Sequence, residues 1–121
     1  MRIIYDSKTG LGKKFAEKLP YSVQPVSEPL LGPCILITRN EGLGLIPKPT
    51  QRFLKQYSAL VRGVVINGNK RFGRFYCAAG PKIERHYRVP VIRNIEGEGI
   101  DTDVQVVVEF LQELESVKGD M

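Results

Sequence analysis

Apolar positions in this chain come in short blocks that alternate between two periodicities. Residues 2–6 are a brief apolar run that reads as a first strand. Leu11, Phe15, Ala16 and Leu19 then recur at helical spacing on one face, up to Pro20. Residues 21–26 read as a second, edge-like strand, because Pro25 interrupts them and cannot donate to a ladder. Residues 34–38 are continuously apolar, as expected of a strand covered by helices on both faces. A helix is expected from about Thr50, with Phe53, Leu54 and Tyr57 spaced for burial, and residues 61–66 form a fourth apolar strand. Tyr76, Ala79, Ile83 and Tyr87 mark a further helix, in which Pro81 demands a kink or a late start. Residues 90–92 are the core of a fifth strand. The last helix carries Val104, Val107, Val108, Leu111 and Leu114 as its stripe, with Thr102 as cap and Gln105 reaching back.

Strands that alternate with helices require right-handed crossovers and an open parallel sheet. Five strands in 121 residues suit the doubly wound order 2-1-3-4-5, whose ligand lies outside the carboxyl ends of the strands where the order reverses. One domain is expected over residues 1–121. No apolar run is long enough for a membrane span, and no signal peptide is expected, since Met1 leads straight into the first strand. Cys34 and Cys77 are too few for a disulfide framework, which points to a reducing cytoplasm. Each reads as a small buried hydrophobe; for Cys77 the alternative is a place beside a ligand. With two separated cysteines and one histidine, a zinc site is not expected, and His86 reads as a surface residue.

Charge divides the chain further. The net charge is +5, but between positions 62 and 88 there are seven Lys or Arg against Glu84 alone. From Glu96 onward there are eight acidic residues against Lys118. One part of the surface should therefore be strongly positive and the last helix negative. A small basic nucleic-acid-binding protein is one reading of this patch. No recognition helix, zinc finger or aromatic RNA-binding pattern accompanies it, so nucleic acid is not the expected partner. An acidic protein, or a field focused on a small anion, accounts for the patch at least as well.

The candidate chemistry lies in three glycine-bearing loops that this topology brings to one sheet edge. The first is Ser7-Lys8-Thr9-Gly10-Leu11-Gly12, which follows a strand and opens a helix. Its hydroxyls and amides, with Lys8 and the helix start, suit a terminal monophosphate. Either hydroxyl can instead cap the helix, and Lys8 can simply be solvated. The second loop runs from Arg39 and Asn40 through Gly42 and Gly44 to Pro47, twelve residues if counted to Thr50, where two to six are usual. The third is Asn67-Gly68-Asn69 followed by Phe72-Gly73, whose amides would meet the edge of a conjugated ring. Phe72 can alternatively pack under its own loop. No Ser/His/Asp or Cys/His arrangement and no convincing carboxylate pair is present, so no catalytic side chain is assigned and a bound cofactor must supply the chemistry.

These residues resemble the NrdI family of flavodoxin-like proteins that serve class Ib ribonucleotide reductase. Ser7-Lys8-Thr9-Gly10 is similar to the family's phosphate loop, and Thr38, Pro47, Thr50-Gln51 and Phe53-Leu54 to its second loop and helix. The most specific stretch is Arg62-Gly-Val-Val-Ile-Asn-Gly-Asn-Lys-Arg-Phe-Gly73, close to the signature R/L-G-V-x-x-S-G-N-x-x-F/W-G. Ala79, Ile83, Tyr87, Val89-Pro90 and Asp103-Val104 continue the register. The resemblance implies a three-layer flavodoxin-like fold and non-covalent FMN. It implies Ser7, Lys8, Thr9, Gly10 and Gly12 at the phosphate, with Arg39, Asn40, Gly42, Gly44 and Asn67, Gly68, Asn69, Phe72, Gly73 flanking the ring. The peptide at Gly68 is expected to turn toward the flavin N5. The implied role is delivery of superoxide, made from reduced flavin and O2, to the small subunit, where it assembles a dimanganese–tyrosyl radical centre. An unidentified reductant would supply the electrons, and the protein itself would hold no metal.

Three departures qualify the likeness. Arg39 stands where the family commonly has Tyr, and Asn67 where Ser is usual. Residues 95–100 match the family's F-E-L-x-G-T only at Glu96 and Gly99, in a loop expected to neighbour the flavin. A general flavodoxin-type electron carrier is the alternative within the same fold.

Overall fold

A computed structural model of the chain describes residues 1–119. Its strands are β1 (Arg2–Tyr5), β2 (Val23–Pro25), β3 (Cys34–Arg39), β4 (Val61–Gly68) and β5 (Val91–Glu96). All neighbours pair in parallel, in the order β2-β1-β3-β4-β5. The helices are α1 (Leu11–Glu17), α2 (Lys48–Tyr57), α3 (Ala79–Tyr87) and α4 (Asp101–Gly119). The expected three-layer flavodoxin-like architecture is the one adopted.

Strand side chains alternate between two cores. Ile4, Leu36, Val64 and Ile66 point to the face covered by Phe53 and Leu54 of α2 and Ile83 of α3. Ile3, Ile35, Ile37, Val65 and Ile95 point to the other, covered by Phe15 and Ala16 of α1 and Val107 and Leu111 of α4. β3 is the central strand, and Cys34 through Thr38 are all buried, which explains its unbroken apolar run. Pro25 lies in the edge strand, paired with Tyr5, where the missing N–H is tolerated. Among the described residues, no helix is long and apolar enough to cross a membrane.

Helix ends differ from the periodic reading in physically instructive ways. α1 stops at Glu17, three residues short of Pro20, and Leu19 is buried from the following turn instead. α2 begins at Lys48, ahead of Thr50, because Pro47 occupies the cap position and Pro49 fits a first turn that needs no N–H. The loop before it is therefore shorter than the expected twelve residues. α3 takes the late start, with Pro81 in its first turn, after a 3-10 turn at Lys70–Phe75. Thr102 does not cap α4. The Ile100 N–H instead donates to Asp103 Oδ2 at 2.9 Å, a carboxylate reaching back from the first turn, while Gln105 donates to Glu109 at 3.2 Å.

One buried polar chain ties the sheet to α2. Thr50 Oγ1 donates to Asp6 Oδ2 at 2.7 Å, and Thr38 Oγ1 lies 2.5 Å from Thr50 Oγ1. With the Thr50 proton committed to Asp6, the Thr38 hydroxyl must donate to Thr50. Both threonines are fully buried and Asp6 is 7% exposed. The chain therefore links the carboxyl ends of β1 and β3 to the first turn of α2. Thr50→Val keeps the shape and removes the bond to a buried carboxylate. It should cost about 1–3 kcal/mol in urea unfolding, whereas Thr50→Ser should retain most of the stability.

Candidate functional site

The loops leaving β1, β3, β4 and β5 meet at the carboxyl edge of the sheet around a groove of about 800 Å³. That size is in the range of small-molecule and cofactor sites. It lies over the point where the strand order reverses, between β1 and β3. Lys8 and Thr9 line it from the first loop, Arg39, Asn40 and Gly42 from the second, and Asn67, Gly68, Asn69 and Phe72 from the third. Ser7, Gly10, Gly12, Gly44 and Gly73 were also candidate site residues, but they do not line the groove.

Each of those five shapes the site from behind or beside it. Ser7 Oγ accepts the Gly10 N–H at 3.0 Å and closes the turn, with Gly10 in the left-handed region at φ 89°. That amide is consequently occupied. The next ones, at Leu11 and Gly12, belong to the first turn of α1, where N–H groups have no carbonyl to reach. Gly12 is buried against Ile37. Gly44 faces away from the groove: a Cβ there would sit 2.7 Å from Ala78 Cβ, and its carbonyl accepts from Lys82 Nζ at 2.6 Å. Gly73 is the kink inside the 3-10 turn, at φ 54°.

Leu11, Glu41, Arg71, Glu96 and Gly97 also line the groove and were not named as site residues from the sequence. Glu41 and Arg71 fall inside loops already singled out, so loop membership was the available signal. Glu96 and Gly97 come from the loop after β5, whose expected place beside the site is where the structure puts it. The basic stretch is more dispersed than expected. Lys70, Arg71 and Arg74 sit on the turn beside the groove, but Arg62 is at the opposite end of β4, where it donates to the Ala59 carbonyl at 2.8 Å. Lys82 and Arg85 lie on α3.

The asparagines are largely spent on holding loops together. Asn40 Nδ2 donates to the Phe75 carbonyl at 2.5 Å, and Asn40 Oδ1 accepts from Ala79 N–H at 2.9 Å. Asn67 Nδ2 donates to the Gly97 carbonyl, joining the loops after β4 and β5. Asn69 Oδ1 accepts the Arg71 N–H at 2.9 Å and caps the 3-10 turn. Phe72 is 49% exposed at the groove and is not packed under its own loop. Gly68 is demanded by proximity: a Cβ there would be 2.8 Å from Cys77 Sγ and 3.1 Å from Cys77 N.

Arg39 concentrates the electrostatics. Its guanidinium bonds to Glu41 and lies 3.5 Å from Asp6 Oδ1, so a cation is held at the end of β3 between two carboxylates. The hydrogen bond and charge of Arg39, with a smaller contribution from Lys8, hold the Glu41 carboxyl below its ordinary value. Arg39 Nε is buried and has no hydrogen-bond partner among the described residues. A buried donor without an acceptor is costly. Site and charges together suit an elongated ligand with an anionic end near Lys8 and Thr9 and a flat part along the glycine-bearing loops.

Cys77 does not reach this groove. It is buried, and its Sγ donates to the Ile66 carbonyl at 3.3 Å, with the backbone in the left-handed region at φ 53°. Burial pushes the Cys34 thiol up to about 12 and the Cys77 thiol up to about 11, from an ordinary 9.0.

Comparison with known proteins gives a consistent set of relatives. The family described as NrdI Flavodoxin like matches residues 3–109. Protein NrdI of Bacillus licheniformis is 37% identical over 120 residues, covering 97% of this chain and 89% of that protein. Protein NrdI of Macrococcus caseolyticus is 36% identical over 108 residues, covering 87% and 84%. Among solved structures, a short-chain flavodoxin associated with a bacterial microcompartment superposes with a TM-score of 0.75, over 96% of each chain. Oxidised Flavodoxin 1 from Bacillus cereus gives 0.59, over 90% of this chain and 92% of that one. At 13% identity these two speak for the fold alone.

Both thiols favour the protonated folded state, which sets a pH dependence. The stability they contribute is complete below pH 9.0, the ordinary thiol value, and is lost as pH rises toward about 11 to 12. Alkaline denaturation followed by circular dichroism should show that decline. At pH 8 the native protein should resist iodoacetamide, with alkylation by mass spectrometry appearing only after unfolding.

Proposed function

The chain belongs to the NrdI flavodoxin-like family, and from that premise we propose that it is an FMN-dependent redox activator of class Ib ribonucleotide reductase. Family and fold both imply a flavin. In this reading a separate reductant supplies electrons. O2 is the co-substrate, and superoxide serves assembly of the dimanganese–tyrosyl radical centre in the reductase small subunit. The observation that carries the reading is the convergence of the glycine-bearing loops on one groove, at the strand-order switch of a flavodoxin-like sheet.

When bound, the flavin supplies the redox chemistry, and the chain supplies binding, orientation and field. Lys8 and Thr9 would hold the phosphate, with the first-turn amides of Leu11 and Gly12 and the turn shaped by Ser7 and Gly10. Arg39 would stand beside the ligand as a cation fixed by Asp6 and Glu41. Arg71 adds a second cation and Phe72 a half-exposed flat face. Asp6, Glu41 and Glu96 offset this charge, most directly at Arg39, which leaves Arg71 as the cation without a carboxylate partner among the described residues. A nearby cation favours negative charge that develops on a ligand as it is reduced.

Titration of FMN against the chain, followed by flavin fluorescence, tests the cofactor. Binding no tighter than that of a flavin-free control protein would end the proposal. Arg39→Gln should weaken binding about tenfold, equivalent to one lost charge-assisted hydrogen bond, and make the bound flavin's potential more negative. Reduced protein, O2 and Mn(II)-loaded small subunit should yield a tyrosyl radical by electron paramagnetic resonance. Equal electron delivery to unrelated acceptors, with no radical formed, would instead identify a general flavodoxin-type carrier.

A further inference from the structure

A second groove, of about 440 Å³, lies on the α2/α3 side of the molecule and shares Glu41 as a wall with the first. Its apolar lining comes from Leu45, Ile46 and Tyr87, and its cationic lining from Lys48 and Lys82, with His86 beside them. The wall between the two grooves is a tight hairpin in which Glu41 and Leu45 exchange backbone hydrogen bonds of 2.8 Å. Leu43 and Leu45 of that hairpin are each 59% exposed.

Cations outnumber carboxylates around this groove, with Glu41 on its wall. α2 carries Lys48, Arg52 and Lys55 and no acidic residue, and α3 adds Lys82 and Arg85 against Glu84. None of these five cations takes part in a salt bridge among the described residues. The opposite layer is the reverse, since α4 carries five acidic residues against Lys118. Half-buried Ile46 and Tyr87, the exposed Leu45 and a surround of cations without salt bridges form the pattern of a protein-docking surface. Phosphate backbones would use the cations and leave the apolar lining of Leu45, Ile46 and Tyr87 unexplained.

We propose that this second groove docks an acidic segment of the reductase small subunit, anchored by a bulky apolar side chain between Leu45 and Tyr87. The inference rests on the redox role proposed above and adds where the partner is held. Docking there sets the partner against the outer wall of the cofactor groove. The unpaired cations of α2 and α3 steer its approach.

The test uses FMN-loaded protein and purified class Ib small subunit, with binding measured by biolayer interferometry. Leu45→Ser combined with Lys48→Glu should weaken binding at least tenfold, while Lys14→Glu on the opposite layer should change it less than twofold. Wild-type affinity should also fall as salt rises from about 0.05 to 0.5 M. Unchanged FMN affinity and melting temperature in the double variant would show that neither fold nor cofactor site is affected. Wild-type binding that the double variant retains would overturn the docking site and leave the redox role standing. No binding of the wild type would overturn both. Binding of random-sequence single-stranded RNA that the double variant abolishes, with the small subunit indifferent to it, would assign the groove to nucleic acid instead.

Discussion

Asp6 is the point on which the carboxyl edge of this sheet depends. A carboxylate 7% exposed is tolerable only when its oxygens are satisfied, and here the partners come from two separate elements. Thr50 donates from α2, Arg39 approaches from the end of β3, and Thr38 backs the Thr50 hydroxyl from inside β3. The Asp6 N–H meanwhile bonds to the Ile37 carbonyl at 2.9 Å. The start of α2 is thereby fixed relative to β1 and β3, and so is the loop that arrives from Arg39. Because the strand order reverses between β1 and β3, this same set of bonds defines one end of the groove.

Around that fixed point, side chains mostly build the groove and leave its surface to backbone and a few charges. Asn40 ties the loop after β3 to the segment before α3, and Asn67 ties the end of β4 to the loop after β5. Gly68 lets Cys77 pack against the end of β4, where any Cβ would collide with its sulfur. The charges at the groove are the Arg39 guanidinium, paired with Asp6 and Glu41, and the exposed Arg71.

Electrostatics also divides the molecule into sides. α2 and α3 present cations without salt bridges next to the hairpin that walls the groove at the strand-order switch, while α4 is acidic on the far layer. Within each segment the sequence reveals this asymmetry. Its consequence depends on topology: right-handed crossovers send α2 and α3 to one face of the sheet and α1 and α4 to the other. The stretch from 62 to 88, continuous in sequence, is therefore spread in space. Arg62 lies at the far end of β4, Lys70, Arg71 and Arg74 lie beside the groove, and Lys82 and Arg85 lie on the helical face.

The strand order, the two apolar cores and the convergence of the glycine-bearing loops were legible in the sequence. Burial acts on every residue of a strand or helix, so it leaves a periodic record that can be read locally. Helix starts were less legible, since Pro47 with Pro49, and Asp103 reaching back to Ile100, override the periodic pattern by single local bonds. The turn after β1 that opens α1 was read from the chain alone, because strand end, hydroxyls, glycines and helix start are contiguous there. Which polar groups remain free for a ligand was decided only by tertiary structure. Asn40 is matched to Phe75 and Ala79, 35 and 39 residues away, and Asp6 to Thr50, 44 residues away. Such pairings exist only once the sheet has drawn distant strand ends together. A residue type announces what it can bond, and the fold determines what it has left to offer.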